Sequence, residues 1–239
     1  MSGELEVRVA GADTLEHSES ISDRIRFEVE AGAIGMALRS PELIRERMLS
    51  GDALLALYSS RGRKGPPPHR AATCGPPPPR RLLGAERLWR GQTQPPAGCE
   101  KRLTVTACGI EGVHWVGFCY LSPWEDGRFV STSALIVKPS HRGQGVARAL
   151  KAAALSLART RYPGARPFGL STSDAVARIN LSLGFREAAY REITGDPAFW
   201  KGCETCPLHA TLLRNRGETC HCRAMLGEPR ARSLPGNGS

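Results

Sequence analysis

The sequence contains no apolar run long enough to cross a membrane. Its 239 residues are 41% hydrophobic, but no stretch approaches the roughly 18 consecutive apolar residues of a membrane span. The first residues, MSGELEVRVAGAD, carry charges where a secretory signal would be apolar. We therefore expect a cytoplasmic protein without a membrane partner. In that compartment the eight cysteines are expected to be free thiols or metal ligands rather than disulfides.

Two common phosphate-binding motifs are also missing. The dinucleotide fingerprint requires a third glycine, and Arg148 stands at that position after Gly143 and Gly145. The Gly-Lys-Ser/Thr of the P-loop does not occur. Neither motif accounts for the glycines in VKPSHRGQGVARAL, residues 137–150.

The positive charge of the chain is concentrated in one segment. Residues 59–102 hold ten Lys or Arg against two acids, which is +8 of the net +10, and nine of the eighteen prolines. Such a composition buries too little apolar surface to offset the entropy of ordering the chain. We predict a disordered Pro/Arg-rich insert. A solvated linker is favoured over a nucleic-acid contact, so a nucleic-acid partner is not expected.

Outside this insert, strand and helix patterns alternate. Helical patterns cover 18–38, the segment that Ser40-Pro41 opens and Gly51 closes, 146–161 and 174–183. Strand patterns cover 5–10, 114–121, 129–137, 168–172 and a final stretch near 186–193, while 53–58 and 104–108 compete to be the second strand. This order predicts a mixed α/β domain built on one sheet. The predicted domain spans 1–200, interrupted by 59–102, and a cysteine-containing extension follows at 201–239.

Arg142-Gly143-Gln144-Gly145-Val146-Ala147 follows a predicted strand and opens a predicted helix. The first turn of a helix carries unpaired N–H groups and a partial positive charge. Glycine lets the backbone approach a diphosphate without a Cβ in the way. Two interpretations follow from the residues alone: a plain capped turn, or a phosphate-binding loop.

At this point the chain resembles the GNAT superfamily of acyl-CoA-dependent N-acyltransferases. Arg142 to Ala147 match the R/Q-x-x-G-x-G/A pattern of that family, after a strand ending Leu135-Ile136-Val137. The helix closing in Leu183-Gly184-Phe185 matches its second signature. The resemblance covers nearly all of residues 1–200 outside the insert, and it implies a mixed, mostly antiparallel sheet flanked by helices.

The resemblance also implies how acetyl-CoA is held as cosubstrate. Backbone N–H groups of residues 143–147 would bind the pyrophosphate, and strand 129–137, splayed from strand 168–172, would hold the pantetheine arm. The N–H of Ile136 or Val137 would polarise the thioester carbonyl. The implied cofactor-binding residues are Leu135, Ile136, Val137, Arg142, Gly143, Gln144, Gly145, Val146 and Ala147.

The catalytic positions depart from the family pattern. Asn180 stands where members often carry a tyrosine that protonates the departing thiolate, and Tyr190 is the candidate substitute. Ser131 stands where some members carry a glutamate base. Without a base, deprotonation at pH 7 costs about 1 kcal/mol for an α-amine but about 4.6 kcal/mol for a lysine side chain. This difference favours a small-molecule amine as acceptor. Arg39 is either a ligand for a substrate carboxylate or a solvated surface arginine.

The C-terminal region contains four closely spaced cysteines: Cys203, Cys206, Cys220 and Cys222. They could form a structural zinc site, a redox-sensitive thiol pair, or small apolar packing residues. The ending resembles that of a subgroup of bacterial GNAT proteins with a Trp-x-Gly-Cys-x-x-Cys and Cys-x-Cys tail. Of the three, zinc is the interpretation favoured from sequence.

Three hypotheses for function remain open at this level. The first is an N-acyltransferase that moves an acyl group, with acetyl expected, from acyl-CoA to a primary amine such as that of a small amino acid. The second is a non-catalytic CoA-binding module or sensor, which the missing tyrosine and glutamate favour. The third is a zinc-dependent protein that contacts nucleic acid through its basic insert. The oligomeric state is not predictable from these residues.

Overall fold

The computed structural model describes residues 2–32, 36–60, 103–106, 112–215 and 217–229. In this part of the chain eight strands form one sheet, in the order β3-β1-β2-β4-β5-β6-β8-β7. The strands are β1 (Ser2–Val9), β2 (Ala53–Ser60), β3 (Leu103–Thr106), β4 (Gly112–Trp124), β5 (Phe129–Val137), β6 (Arg166–Ser171), β7 (Arg186–Ala188) and β8 (Arg223–Leu226). Every neighbouring pair is antiparallel except β5 and β6, which are parallel. The predicted mixed, mostly antiparallel sheet is confirmed.

Six α-helices flank this sheet: α1 (Ser18–Glu30), α2 (Pro41–Leu49), α3 (Val146–Arg161), α4 (Asp174–Ser182), α5 (Pro197–Lys201) and α6 (His209–Arg214). The two predicted serine caps are confirmed. The Ser40 hydroxyl accepts from the Leu43 N–H at 3.3 Å, and the Ser173 hydroxyl accepts from the Val176 N–H at 3.4 Å. Each cap satisfies one of the N–H groups that a helix start leaves unpaired. None of the described helices is long and apolar enough to cross a membrane.

The two faces of the sheet pack against different helices because strand side chains alternate. In β4, Val116, Cys119 and Leu121 lie in one cluster with the buried stripe of α3. Trp115, Phe118 and Tyr120 of the same strand lie in a second cluster with α1 and α2. A third cluster forms where α5 and α6 cover the C-terminal strands.

The parallel pair β5 and β6 separates partway along its length. Only Phe129–Ser131 pair with Arg166–Phe168, although β5 continues to Val137 and β6 to Ser171. From Thr132 and Gly169 onward the strands diverge, and we call this opening the fork. The edge of β5 beyond Ser131 therefore has no β6 partner and remains available for a ligand.

A bulge interrupts β5 beside the fork. Phe118 pairs with Ile136 and Tyr120 pairs with Ser133, so two residues of β5 oppose Cys119. One of them, Ala134, has a φ of 52°, a conformation that is uncommon for a residue with a Cβ. Bulges of this kind change which way the following residues point and are frequent beside functional sites.

Both segments that compete for the second strand are strands. β1 lies between them, with β2 on one side and β3 on the other. Because β2 extends to Ser60, the first two residues of the predicted 59–102 insert belong to that strand. The rest of the predicted insert, 61–102, lies outside the described residues.

The C-terminal part of the domain differs most from the sequence expectation. The predicted strand near 186–193 is only Arg186–Ala188, followed by a 3-10 turn at Tyr190–Glu192. β8, within the segment predicted as an extension, lies between β6 and β7 and pairs with both. The predicted helix over 18–38 ends at Glu30, and a 3-10 turn at Ala12–His17 precedes it.

Candidate active site

The predicted phosphate loop leads directly into α3. Gly143 has a φ of 73°, and Gly145 has a φ of 84° as the N-cap residue of α3. Both angles lie in the left-handed region, which glycine adopts without steric cost. A Cβ built at either glycine would meet no protein atom within 4 Å. The space beside both glycines is therefore open for a ligand.

This loop presents a run of unused hydrogen-bond donors. Ala149 N–H makes the first bond of the helix, to the Gly145 carbonyl, and Arg142 N–H bonds to the Pro139 carbonyl. Between these, the N–H groups of residues 143–148 donate to no other described residue. Consecutive free N–H groups at a helix start, with the positive end of its dipole, form an anion-binding site.

Arg142 holds this loop in place with its side chain. Its Nε donates to the Val137 carbonyl at 3.0 Å, and its Nη2 donates to the Glu28 carboxylate at 2.6 Å. Glu28 is only 3% exposed and also pairs with Arg24. The Arg142 side chain therefore fixes the loop to β5 and α1, a positioning role that the sequence pattern did not reveal. Gln144 similarly donates to the Ser140 carbonyl, at 2.9 Å.

The remaining residues of the predicted CoA site lie on both sides of the fork entrance. Ile136, Val137 and Val146 are buried in the domain core. Leu135 and Ala147 are half-buried and pack against the same cluster. The structure thus brings the end of β5 and the start of α3 together in one place, as the motif spacing predicted.

The opposite face of the sheet carries a second polar cluster near the bulge. Arg39 is half-buried, and its Nε donates to the Tyr120 hydroxyl at 2.6 Å. The Ser22 hydroxyl donates to the Arg39 carbonyl at 2.7 Å and fixes the backbone there. Arg39 is therefore not a free surface side chain. Tyr120 was not predicted from the sequence as a residue of this cluster. In the sequence it has the pattern of an ordinary core-facing residue in a strand with alternating side chains.

Ser131, at the position of the family's glutamate, is part of a hydroxyl network. Its Oγ accepts from Trp124 Nε1 at 2.9 Å and lies 3.1 Å from the Ser133 Oγ. Ser131 is 1% exposed, and neither serine is a base at neutral pH. Glu125 is not a replacement, because its carboxylate accepts hydrogen bonds from the Thr194 hydroxyl and the Gly195 N–H.

Neither predicted acid has the geometry of a proton donor. Tyr190 is buried against Trp200, with ring centroids 5.4 Å apart, and donates its hydroxyl proton to the Cys222 carbonyl at 2.8 Å. Burial, followed by the nearby cysteines, raises the pKa of Tyr190 above its ordinary value. Asn180 is 1% exposed, and its Oδ1 has no hydrogen-bond partner within the described residues. The arrangement favours a packing role for Tyr190.

Two histidines lie near the loop, around Tyr58. The Tyr58 ring centroid lies 5.4 Å from that of His114 and 5.3 Å from that of His141. Burial, then the charges of His114 and Lys138, lower the pKa of His141. These contacts make His114 part of an aromatic cluster against α3.

The four C-terminal cysteines are half-buried free thiols near one another. Burial raises the pKa of Cys222 to about 12, and Cys220, Cys206 and Cys203 add to that effect. Burial also raises the pKa of Cys203, which the positive charge of Arg39 opposes. In the described part of the chain no group of three or more His, Cys, Asp or Glu side chains could hold a metal ion, so the zinc site stays a prediction without structural support.

Residues 80–185 match the model of the acetyltransferase (GNAT) family. That segment contains the phosphate loop, the fork and both signature motifs. No curated protein sequence gave a match.

Solved structures share the fold at low identity. N-acetylglutamate synthase from Neisseria gonorrhoeae, in complex with coenzyme A and N-acetyl-glutamate, superposes with a TM-score of 0.52 at 14% identity, over 95% of this chain but 35% of that one. The yncA structure from Salmonella typhimurium, with its cofactor acetyl-CoA, superposes with a TM-score of 0.50 at 14% identity, over 98% of this chain and 99% of that one.

The described chain therefore shares its fold with these acetyltransferase structures, and residues 80–185, which include the loop, are similar to the acetyltransferase (GNAT) family. The cysteine-tail subgroup that the sequence resembles stays a prediction.

Proposed function

We propose that this protein transfers an acetyl group from acetyl-CoA to the primary amine of a small molecule. The observation that carries this proposal is the run of unbonded N–H groups at residues 143–148, at the start of α3 and beside the fork. The run suits a pyrophosphate, and the unpaired edge of β5 suits an extended pantetheine arm. One ligand with both parts is coenzyme A.

The acceptor is expected to enter from the opposite face of the sheet. There the described residues around the bulge offer hydroxyls from Tyr120, Ser131 and Ser133 and the Arg39 guanidinium. The Arg47 guanidinium lies over the Tyr120 ring, 6.0 Å from its centroid. A guanidinium held by a hydrogen bond can pair with a carboxylate through its remaining N–H groups. This pattern supports an amino acid as the acceptor. Coenzyme A with N-acetyl-glutamate in the Neisseria structure is compatible with that class.

The absence of a carboxylate in this hydroxyl network bears on the choice of amine. An α-amine is deprotonated at about 1 kcal/mol cost at pH 7, while a lysine side chain costs about 4.6 kcal/mol. An acceptor with a low amine pKa needs no strong base from the protein. We therefore favour an amine of low pKa over a protein lysine as the acceptor.

Release of coenzyme A thiol from acetyl-CoA, measured for a panel of amines, tests the proposal. We expect turnover with one or more amino acids, and loss of turnover when the carboxylate of that acceptor is replaced by an amide. Arg39→Lys keeps the positive charge but loses the planar pair of N–H donors with which a guanidinium binds a carboxylate. The KM for the acceptor should therefore rise at least tenfold, with little change in the KM for acetyl-CoA. Acetyl-CoA binding without transfer to any amine would instead indicate a CoA-binding module.

A further inference from the structure

Lys151, on α3, is a buried lysine that the proposed function has not used. Its side chain is 4% exposed, and its Nζ donates to the Thr132 hydroxyl. Thr132 is the first residue of β5 beyond the paired segment, and Gly169 is its counterpart in β6. A Cβ on Gly169 would lie 3.8 Å from the Lys151 Nζ. The ammonium therefore lies at the apex of the fork, between the two strands where they begin to diverge.

The surroundings of this ammonium contain no described anion. Besides Thr132, its neighbours are the Phe185 ring, whose centroid lies 5.9 Å away, and the buried Cys119 thiol. Burial lowers the pKa of Lys151 to about 8, and the Cys119 thiol acts more weakly in the opposite direction. A buried cation normally has a paired anion, because desolvation otherwise costs several kcal/mol. A buried ammonium without a described anionic partner, next to a candidate site, is therefore a candidate for a functional role.

The fork is also where the reaction would generate negative charge. If the pantetheine arm follows the free edge of β5 from the phosphate loop beyond Ile136 and Val137, the positions that the resemblance implies for the thioester, its sulfur end reaches Thr132, where that edge closes. The loop and Lys151 lie on the same helix, with the loop at its start. Of the other candidates, Asn180 cannot deliver a proton, and the Tyr190 hydroxyl is committed to the Cys222 carbonyl.

We propose that the Lys151 ammonium is the acid that stabilises the departing thiolate of coenzyme A and gives it a proton. The amine nitrogen forms a bond to the thioester carbonyl carbon, and the C–S bond breaks with its electron pair on sulfur. Lys151 transfers one proton to that sulfur and becomes a neutral amine. The new amide nitrogen loses one proton to water, and Lys151 regains one from water. This inference rests on the proposed function and assigns the acid of that reaction.

This role can be tested by binding measurements at equilibrium, which do not require turnover. Coenzyme A and desulfo-coenzyme A differ only in the thiol, so the ratio of their affinities reports the environment of the sulfur. With Lys151 present, bound coenzyme A and Lys151 should share one proton between the sulfur and Nζ, so binding should release a proton below pH 8. The affinity ratio should therefore rise between pH 6 and 8, to at least tenfold in favour of coenzyme A. In Lys151→Met the ratio should stay flat and near one.

Calorimetry of both ligands in two buffers of different ionisation enthalpy measures the affinities and the proton release. Lys201→Met, which removes an exposed lysine of α5, is the matched control and should behave as the wild type. Thr132→Val removes the hydroxyl acceptor while keeping the lysine, and it should reduce the ratio without abolishing it. This second variant keeps the proposal testable if Lys151→Met does not fold.

Kinetics provide an independent readout once an acceptor is known. General acids typically contribute about 10²–10⁴ to a rate, so Lys151→Met should lower kcat by at least a hundredfold with little change in acetyl-CoA affinity. In the wild type kcat should fall above pH 8, as Lys151 loses its proton, and the variant should lack that decline. An affinity ratio unchanged by Lys151→Met would overturn the acid role and leave the proposed function intact. Failure of the wild type to bind coenzyme A would overturn both.

Discussion

At the residue scale, Gly145 combines two requirements that are normally separate. Its φ of 84° excludes most side chains on conformational grounds, and the open space beside it is where a pyrophosphate would approach. A plain turn would need only the first of these. A second glycine with the same backbone conformation, outside the loop, can therefore separate them.

We predict that Gly145→Val reduces acetyl-CoA affinity at least a hundredfold, because its side chain would occupy the space of the phosphate and strain the start of α3. Gly164 is the matched control: its φ is 90°, and a Cβ there would also meet nothing within 4 Å. Gly164→Val should carry a similar conformational cost and leave affinity unchanged. Isothermal calorimetry with acetyl-CoA decides between them. If Gly145→Val and the wild type bind acetyl-CoA with equal affinity, the loop is a turn without a role in binding.

At the scale of the element, the most consequential strand is the short β8. It fills the gap between β6 and β7, and Ala224, Met225 and Leu226 are at most 3% exposed. Its neighbours depend on it for their backbone hydrogen bonds. The C-terminal segment is thus part of the sheet.

Truncation before β8 should therefore destabilise the whole domain. Burial of a Met or Leu side chain contributes about 1.5–3 kcal/mol, so removing residues 218–239 should cost about 3–6 kcal/mol from Met225 and Leu226 alone. At about 2–4 °C per kcal/mol for a chain of this size, the Tm should fall by about 6–24 °C. Circular dichroism melting measures this.

The control truncation removes only residues 230–239 and retains β8. It should melt as the full chain does. If both truncations melt at the same temperature, β8 does not contribute to the stability of the sheet in solution.

At the scale of the whole molecule, the chain between β2 and β4 is long, although the ends it joins are adjacent. Ser60 pairs directly with Gly112 across the two antiparallel strands. A two-residue turn is enough to connect neighbouring antiparallel strands. The contacts described above for the candidate site involve no residue between 61 and 111.

We predict that replacing residues 61–111 by Asn-Gly leaves acetyl-CoA affinity within about threefold of the wild type. The replacement removes the edge strand β3, but the loop, α3 and the fork keep all their described contacts. Calorimetry at low and physiological salt is the measurement. A loss of affinity that low salt restores would show instead that the basic segment attracts the phosphates, since screening weakens such attraction.

Features that depend on residues close together in the chain could be predicted from the sequence. Caps at Ser40 and Ser173, the glycines of the loop and the strand that precedes it depend on residues a few positions apart. Local backbone geometry and hydrogen bonding decide such features. For the same reason, the R/Q-x-x-G-x-G/A pattern and the Leu-Gly-Phe motif were sufficient to predict the fold class and a glycine-containing loop at the start of α3.

The remaining features depend on residues that are distant in the chain. Arg39 meets Tyr120 across 81 positions, and Arg142 meets Glu28 across 114. In both cases each partner alone resembles an ordinary surface or strand residue. From the sequence, Lys151 resembles a solvent-exposed helix residue. Its burial depends on the packing of α3 against β5 and β6. Strand order has the same origin: β8 is too short to predict alone, and only pairing with β6 and β7 makes it a strand. The sequence by itself determined the loop and the class of fold, whereas long-range packing decided which side chains surround the site.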